Sequence, residues 1–191
     1  LFALEQFGLA GKVKVVNLQP SDIPAAWERG DIDAAFIWDP ALGKLKQSGK
    51  VLISSGTLSG WGKATFEALV VDKEFSSKHA DGMTVFTKVL QSSTADYVKA
   101  PESWNAASPK VANVARLSGG KAAEVPEVLA LYEFPLAAEQ SSATWLGGGK
   151  DGGAAKALAA TAEFLKEQKK VPAVLPDYSV AINASFVEAA K

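Results

Sequence analysis

The sequence has no cysteine, one histidine and one methionine. Without cysteine there can be no disulfide, no thiolate metal site and no cysteine nucleophile, although the compartment stays open. Neither sign of charge dominates: 20 Lys and Arg stand against 21 Asp and Glu, for a net charge of −1. Nucleic-acid binding needs a basic stripe, and polybasic membrane attachment needs clustered Lys and Arg, so neither is expected. No apolar run approaches the about 18 residues that would span a bilayer. Gly-x-Ser-x-Gly is absent, and no Ser-His-Asp order stands out. His79 precedes Ala80-Asp81 at an expected helix start and has no partner suited to catalysis or metal binding. No catalytic residue, metal or cofactor is expected.

What remains is a chain of 191 residues, 48% hydrophobic and 21% charged. That suffices for one large domain or two small ones with a sizeable core. The sequence opens in the body of a helix, with Leu1, Leu4 and Phe7 on one face and Gly8 ending it. Nothing before Leu1 can cap that helix, so residues preceding it are expected to be missing.

The first sixty residues alternate helix and strand patterns. Val13, Val15 and Val16 mark a β-branched strand. Ser21 or Asp22 can cap a helix through Trp27 and Arg29, closed by Gly30. Residues 34–38 form a second strand stopped by Pro40, residues 41–47 a helix, and residues 51–54 a third strand. This order predicts an α/β fold with a parallel sheet and ligands at the strand ends. Residues 64–71 read as a longer strand.

Helices dominate after that. Asp81 can cap one in which Met83, Phe86, Val89 or Leu90, and Tyr97 recur at helical spacing. Ser108-Pro109 opens another, closed at Gly119-Gly120, and Val125-Pro126 begins a third. The glycines at 147–149 and 152–153 read as a loop or hinge. They lack the Gly-Lys-Ser/Thr ending of a phosphate cradle, and no strand precedes them. A long amphipathic helix follows, ended by Val171-Pro172. These helices have apolar faces but almost no strands to cover.

Glu67 is the most informative side chain: a lone carboxylate in an apolar, strand-like run beside Trp61 and Phe66. A charge there is costly unless something pairs with it. Its partner could be a ligand ammonium, or Lys63 four residues away, or water at a strand edge. Phe36-Ile37-Trp38-Asp39-Pro40 has the same character. Trp38 could wall a pocket or fill the core, and Asp39 could accept from a ligand or cap the helix opening at Pro40-Ala41, the favoured role. Trp61, between two glycines, suits a ligand lid or a turn anchored by its indole. Asp31 and Asp33 suit a solvated turn. Lys166, Lys169 and Lys170 suit the end of a helix dipole.

The strings KVVNLQP at 14–20, AAWERGDIDAAFIWDPA at 25–41, GKVL at 49–52, Trp61-Gly62 and TFEALVV at 65–71 carry a resemblance. ARLSG at 115–119, TAEFLKEQ at 161–168, KVPAV at 170–174 and DYS at 177–179 extend it. The chain resembles the nitrate/sulfonate/taurine-type solute-binding proteins of bacterial ABC importers. The resemblance implies a type II periplasmic-binding-protein fold: two lobes closing on a small zwitterion about a hinge, here in an N-terminally incomplete version. Residues 1–58 would form most of lobe 2. Residues 59–75 would form the hinge crossing and return strand, and residues 76–191 the helical C-terminal part of lobe 1.

The same resemblance implies taurine or a related aliphatic (amino)sulfonate as ligand, an ABC permease in the membrane as partner, a monomer, and a periplasmic or lipid-anchored location. Trp38 and Trp61 would wall the cleft with Thr65 on its lining, Glu67 would meet the ammonium, and Asp39 would orient the helix at the pocket edge. The family's polar turn for the sulfonate precedes the helix that begins here at Leu1, so that half of the site is expected to be absent. Asp, rather than Glu, is expected at position 67 in close taurine binders. The alternatives are a truncated interaction module that transports nothing and a pyrimidine-synthesis-type enzyme on the same fold.

Overall fold

A computed structural model describes Leu1–Lys191, and every regular element in it is a helix. The chain divides into two compact units, Leu1–Ala64 and Thr65–Lys191, taken in turn below.

The first unit holds four short helices: α1 (Phe2–Gln6), α2 (Ile23–Arg29), α3 (Ala41–Leu45) and α4 (Ser55–Gly60). Gly30 ends α2 in the left-handed conformation, φ 74°, where a residue without Cβ carries no steric penalty. Ser54 caps α4, its side chain accepting from the Thr57 N–H. Helices α2 and α3 pack together around Ile23, Ala26, Ala41 and Leu45, all buried. Trp27 fastens the pair: its Nε1 donates to Ser48 Oγ at 2.9 Å.

The four expected strands do not form. Residues 13–16, 34–38, 51–54 and 64–71 have no regular secondary structure. No backbone hydrogen bond links any of them to another. A strand exists only through a neighbour's N–H and C=O groups, and each of these stretches lacks such a neighbour. Their apolar side chains face outward accordingly: Val15 is 60% exposed, Phe36 64%, Leu52 81% and Val70 92%. The α/β expectation is therefore met only in its helices.

The second unit holds α5 (Lys73–Lys78), α6 (Ala80–Lys99), α7 (Pro109–Ser118), α8 (Val125–Leu129), α9 (Ala137–Gln140), α10 (Gly153–Glu167) and α11 (Ser185–Glu188). Asp72 caps α5 through the Phe75 N–H at 2.7 Å, and Ser108 caps α7 with Pro109 at its first position. Asp81 does not cap α6. The helix begins at Ala80, two residues earlier than such a cap would set, so the cap position falls to His79, which makes no side-chain capping bond. The core lies where α7 and α8 meet Trp104: Val111, Ala115 and Val125 are buried with the indole, and Tyr97 and Leu129 pack against them. Trp104 is held on three sides. Tyr97 meets it edge-on at 5.7 Å, Asp96 accepts from its Nε1 at 2.9 Å, and the Lys110 ammonium lies 5.4 Å from its ring centre. Lys110 also pairs with the same Asp96 oxygen. With the lysine half in water, such a cation–ring contact is worth about 0.5–1 kcal/mol.

The glycine-rich segment is a closed turn. Gly153 N–H donates to Ala143 O at 2.8 Å, Ala154 N–H to Trp145 O at 2.9 Å, and Gly147 N–H to Ser142 O at 2.8 Å. A Cβ on Gly152 would lie 1.9 Å from Gly147 O, and one on Gly153 1.9 Å from Thr144 O. Close backbone approach, not φ, excludes a side chain at these two positions. The loop-or-hinge expectation thus narrows to a packed loop that launches α10.

Gly153→Ala forces the turn apart and should cost about 1–3 kcal/mol. Gly82→Ala, in α6 with open space around its Cβ, should stabilise by about 0.4–1 kcal/mol. Thermal melts of the two variants check the opposite signs. The hydrogen bond from Lys110, aided by that from Trp104 and offset in part by desolvation, holds the Asp96 carboxyl below the usual aspartate range. The unfolded chain then binds the proton first as pH falls. This contribution is complete above the ordinary aspartate pKa and is lost as pH drops through the lowered folded value. Asp96→Asn should lower stability at neutral pH and converge with the parent in acid, as urea unfolding across a pH series will show.

Candidate functional site

In the first unit, Asp39 stands at the start of α3. Its Oδ1 accepts from the Gly43 N–H at 3.0 Å, and the neighbouring Trp38 carbonyl accepts from the Leu42 N–H at 2.9 Å. The carboxylate thereby satisfies one of the donors that a helix start leaves open. The Asp39-Pro40 peptide is cis. Asp39 is half-buried, while the Trp38 indole is 58% exposed. A Cβ on Gly43 would lie 3.0 Å from Asp39 Oδ1, so the smallest residue here lets the carboxylate close over the helix end.

Trp61 follows α4 directly, and its N–H donates to the Leu58 carbonyl at 3.1 Å. Its ring partner is Phe7, edge-on with centroids 6.0 Å apart. Next to it, Lys63 Nζ lies 5.5 Å from the ring centre of Phe2. Of the two expectations for Trp61, the anchored turn describes this packing. Trp38 and Asp39 are joined by sequence, and Trp61 belongs to a separate contact with α1.

Thr65 and Glu67 belong to the second unit and are exposed. Glu67 has no ion pair. Lys63, its candidate partner in sequence, is engaged with Phe2 instead. The apolar neighbours that made Glu67 conspicuous are themselves exposed, Phe66 at 39% and Leu69 at 73%. The carboxylate therefore bears no burial cost here.

Two polar groups that composition and spacing did not flag are the amide of the buried Gln91 and the indole nitrogen of the half-buried Trp145. Gln91 and Trp145 each keep a polar atom, Oε1 and Nε1, out of water without a hydrogen-bond partner. Gln91 could have been suspected from helical spacing alone, since it lies between the half-buried Thr87 and Thr94 on the inward side of α6. No group of three or more His, Cys, Asp or Glu side chains could hold a metal ion. No helix is long and apolar enough to cross a membrane.

The capping geometry makes its own prediction. Asp39→Ala should cost about 0.5–2 kcal/mol by leaving the Gly43 N–H without its acceptor, whereas Asp39→Asn should cost a fraction of that. Chemical denaturation of the two variants distinguishes a cap from a purely electrostatic role.

No protein-family model matches the chain. It is 39% identical over 189 residues to the taurine-binding periplasmic protein of Escherichia coli strain K12, which covers 98% of the chain and 57% of that protein. It is also 32% identical over 80 residues to a putative aliphatic sulfonates-binding protein of Bacillus subtilis strain 168, covering 41% of the chain and 23% of that protein. The chain thus spans little more than half the length of the Escherichia coli protein. That relative is a non-enzymatic binding protein, so the enzyme alternative is set aside. By identity sustained across nearly all its residues, the chain is a homologue of the taurine-binding periplasmic protein and corresponds to part of a solute-binding protein.

Proposed function

We propose that the chain is the greater part of a periplasmic substrate-binding component for taurine or a related aliphatic (amino)sulfonate, delivering it to an ABC permease. The observation that carries this is 39% identity over 98% of the chain to a protein named for taurine binding. In this proposal residues 1–58 supply most of one lobe, residues 59–75 the crossing, and residues 76–191 the helical part of the other. On this reading the four unpaired β-type stretches would pair as strands of a type II fold in the whole protein. Their sequences support this, being rich in Val, Ile, Phe and Trp and outward-facing for want of a partner.

Taurine presents an ammonium and a sulfonate. Glu67 takes the ammonium: its carboxylate has no internal cation and is free to accept a charge-assisted hydrogen bond. On this reading Trp38 and Trp61 would wall the cleft of the whole protein, Thr65 would offer a hydroxyl, and Asp39, which holds the start of α3, would stand at the pocket edge. The glutamate reaches one methylene further than aspartate, which favours a ligand whose nitrogen lies further from the backbone.

Calorimetric titration of taurine into the full-length protein tests this assignment. Glu67→Gln keeps the shape and removes the charge, so affinity should fall by about 1.5–3 kcal/mol, roughly ten- to a hundredfold. Unchanged affinity in the variant removes Glu67 from the site. Failure of the protein to bind any aliphatic sulfonate would favour the second reading, an interaction module without transport. The observation behind that reading is the apolar exposure of Leu52 and Val70.

A further inference from the structure

Helix α1 holds the exit of α4 at two points. Near its start, the Phe2 ring centre lies 5.5 Å from the Lys63 ammonium. Just past its end, the Phe7 ring meets Trp61 edge-on, with centroids 6.0 Å apart. The main chain between these points is also tied down. The Leu58 carbonyl accepts from the N–H groups of both Trp61 and Lys63, at 3.1 and 3.0 Å, and the Ser59 carbonyl accepts from the Gly62 N–H at 2.9 Å. Gly62 takes φ 85°, a left-handed conformation that strains a residue with a Cβ. Residues 61–63 are thus a fixed turn, from which the Lys63 side chain reaches α1. No carboxylate holds that ammonium, since Lys63 is in no ion pair.

This placement bears on Glu67. Lys63 is the cation nearest to Glu67 in the sequence. A spacing of four puts both on one side of an extended run. A lysine and a ligand ammonium would contend for the same carboxylate oxygens. A cation over an aromatic face and an ion pair, both at exposed sites, are of comparable strength. A single ring is therefore enough to keep the lysine from its rival partner.

We infer that Phe2 determines specificity as a positioning residue: its ring keeps the Lys63 ammonium off Glu67, leaving that carboxylate to the ammonium of a zwitterionic ligand. The inference rests on the assignment of Glu67 to the ligand ammonium. Phe2 touches no ligand and acts through Lys63. Without the ring, Lys63 occupies Glu67 in part of the population, and apparent affinity for an amine-bearing ligand falls by that fraction. A sulfonate without an amine gains nothing from Glu67, so it escapes this loss.

Calorimetric titration of the full-length protein with taurine and with ethanesulfonate reads the two affinities side by side. Phe2→Leu keeps apolar bulk and removes the ring. It should lower taurine affinity about two- to fivefold and leave ethanesulfonate no weaker. Adding Lys63→Gln to that variant should restore taurine binding, a rescue that a merely structural role for Phe2 would not give. In the ligand-free protein, the methylene resonances next to the Lys63 ammonium should lie upfield under the ring current and return to ordinary positions in Phe2→Leu. The proposal is overturned by any of four results: no upfield shift in the parent, no loss of taurine affinity in Phe2→Leu, equal loss of both ligands, or a loss that persists after Lys63→Gln. Taurine affinity unchanged by Glu67→Gln overturns the assignment beneath it as well. A weakened Glu67→Gln beside an unrescued Phe2→Leu overturns this proposal alone.

Discussion

A helix satisfies most of its backbone N–H and C=O groups from within its own run of residues, whereas a strand takes each of them from a neighbour. That difference governs this chain. The helices close their own hydrogen bonds, from the four residues of α9 to the 20 of α6. Every β-type stretch remains without a ladder, because no second stretch pairs with it. The exposed Val, Phe and Leu side chains follow from this. A sheet buries its faces only after its edges are joined.

The second unit shows how such a chain still builds a core. Trp104 gathers α6, α7 and α8 because it offers something to each kind of neighbour. Its edge and face meet Tyr97 and Lys110, its N–H meets Asp96, and its apolar body meets Val111 and Val125. Asp96 serves two donors with one oxygen, so the cation that covers the ring also compensates the acid that orients it. The cluster joins burial, a hydrogen bond and a charge pair in one place, and the effects of altering its members are therefore not additive.

Much of the helical architecture was legible in the sequence. Gly30 and Gly119 end their helices, Ser108-Pro109 starts one, and Asp39, one residue before the cap position at Pro40, takes the Gly43 N–H of α3, each for a local reason written in neighbouring residues. The strands were legible as composition but not as structure, since pairing is a property of two segments. Within α6 the helical period was right and the buried side partly wrong. Met83, Leu90 and Tyr97 are half-buried as their spacing predicts, but Phe86 and Val89 face out, and the amide of Gln91 takes the innermost place. Hydrophobicity alone cannot foresee a polar residue inside. Glu67 was conspicuous for its apolar neighbours, yet its surroundings depend on a sheet, so its environment could not be read locally.

The turn before α10 has a consequence for how freely this part of the chain can drift. Its course is set by main-chain atoms meeting main-chain atoms, at Gly147, Gly152 and Gly153. The intervening Lys150 and Asp151 are exposed and make no close approach of this kind. Neither position meets the backbone constraint that fixes the three glycines, so a larger or smaller side chain fits at either. The loop can thus acquire a new surface character without altering the scaffold beneath it.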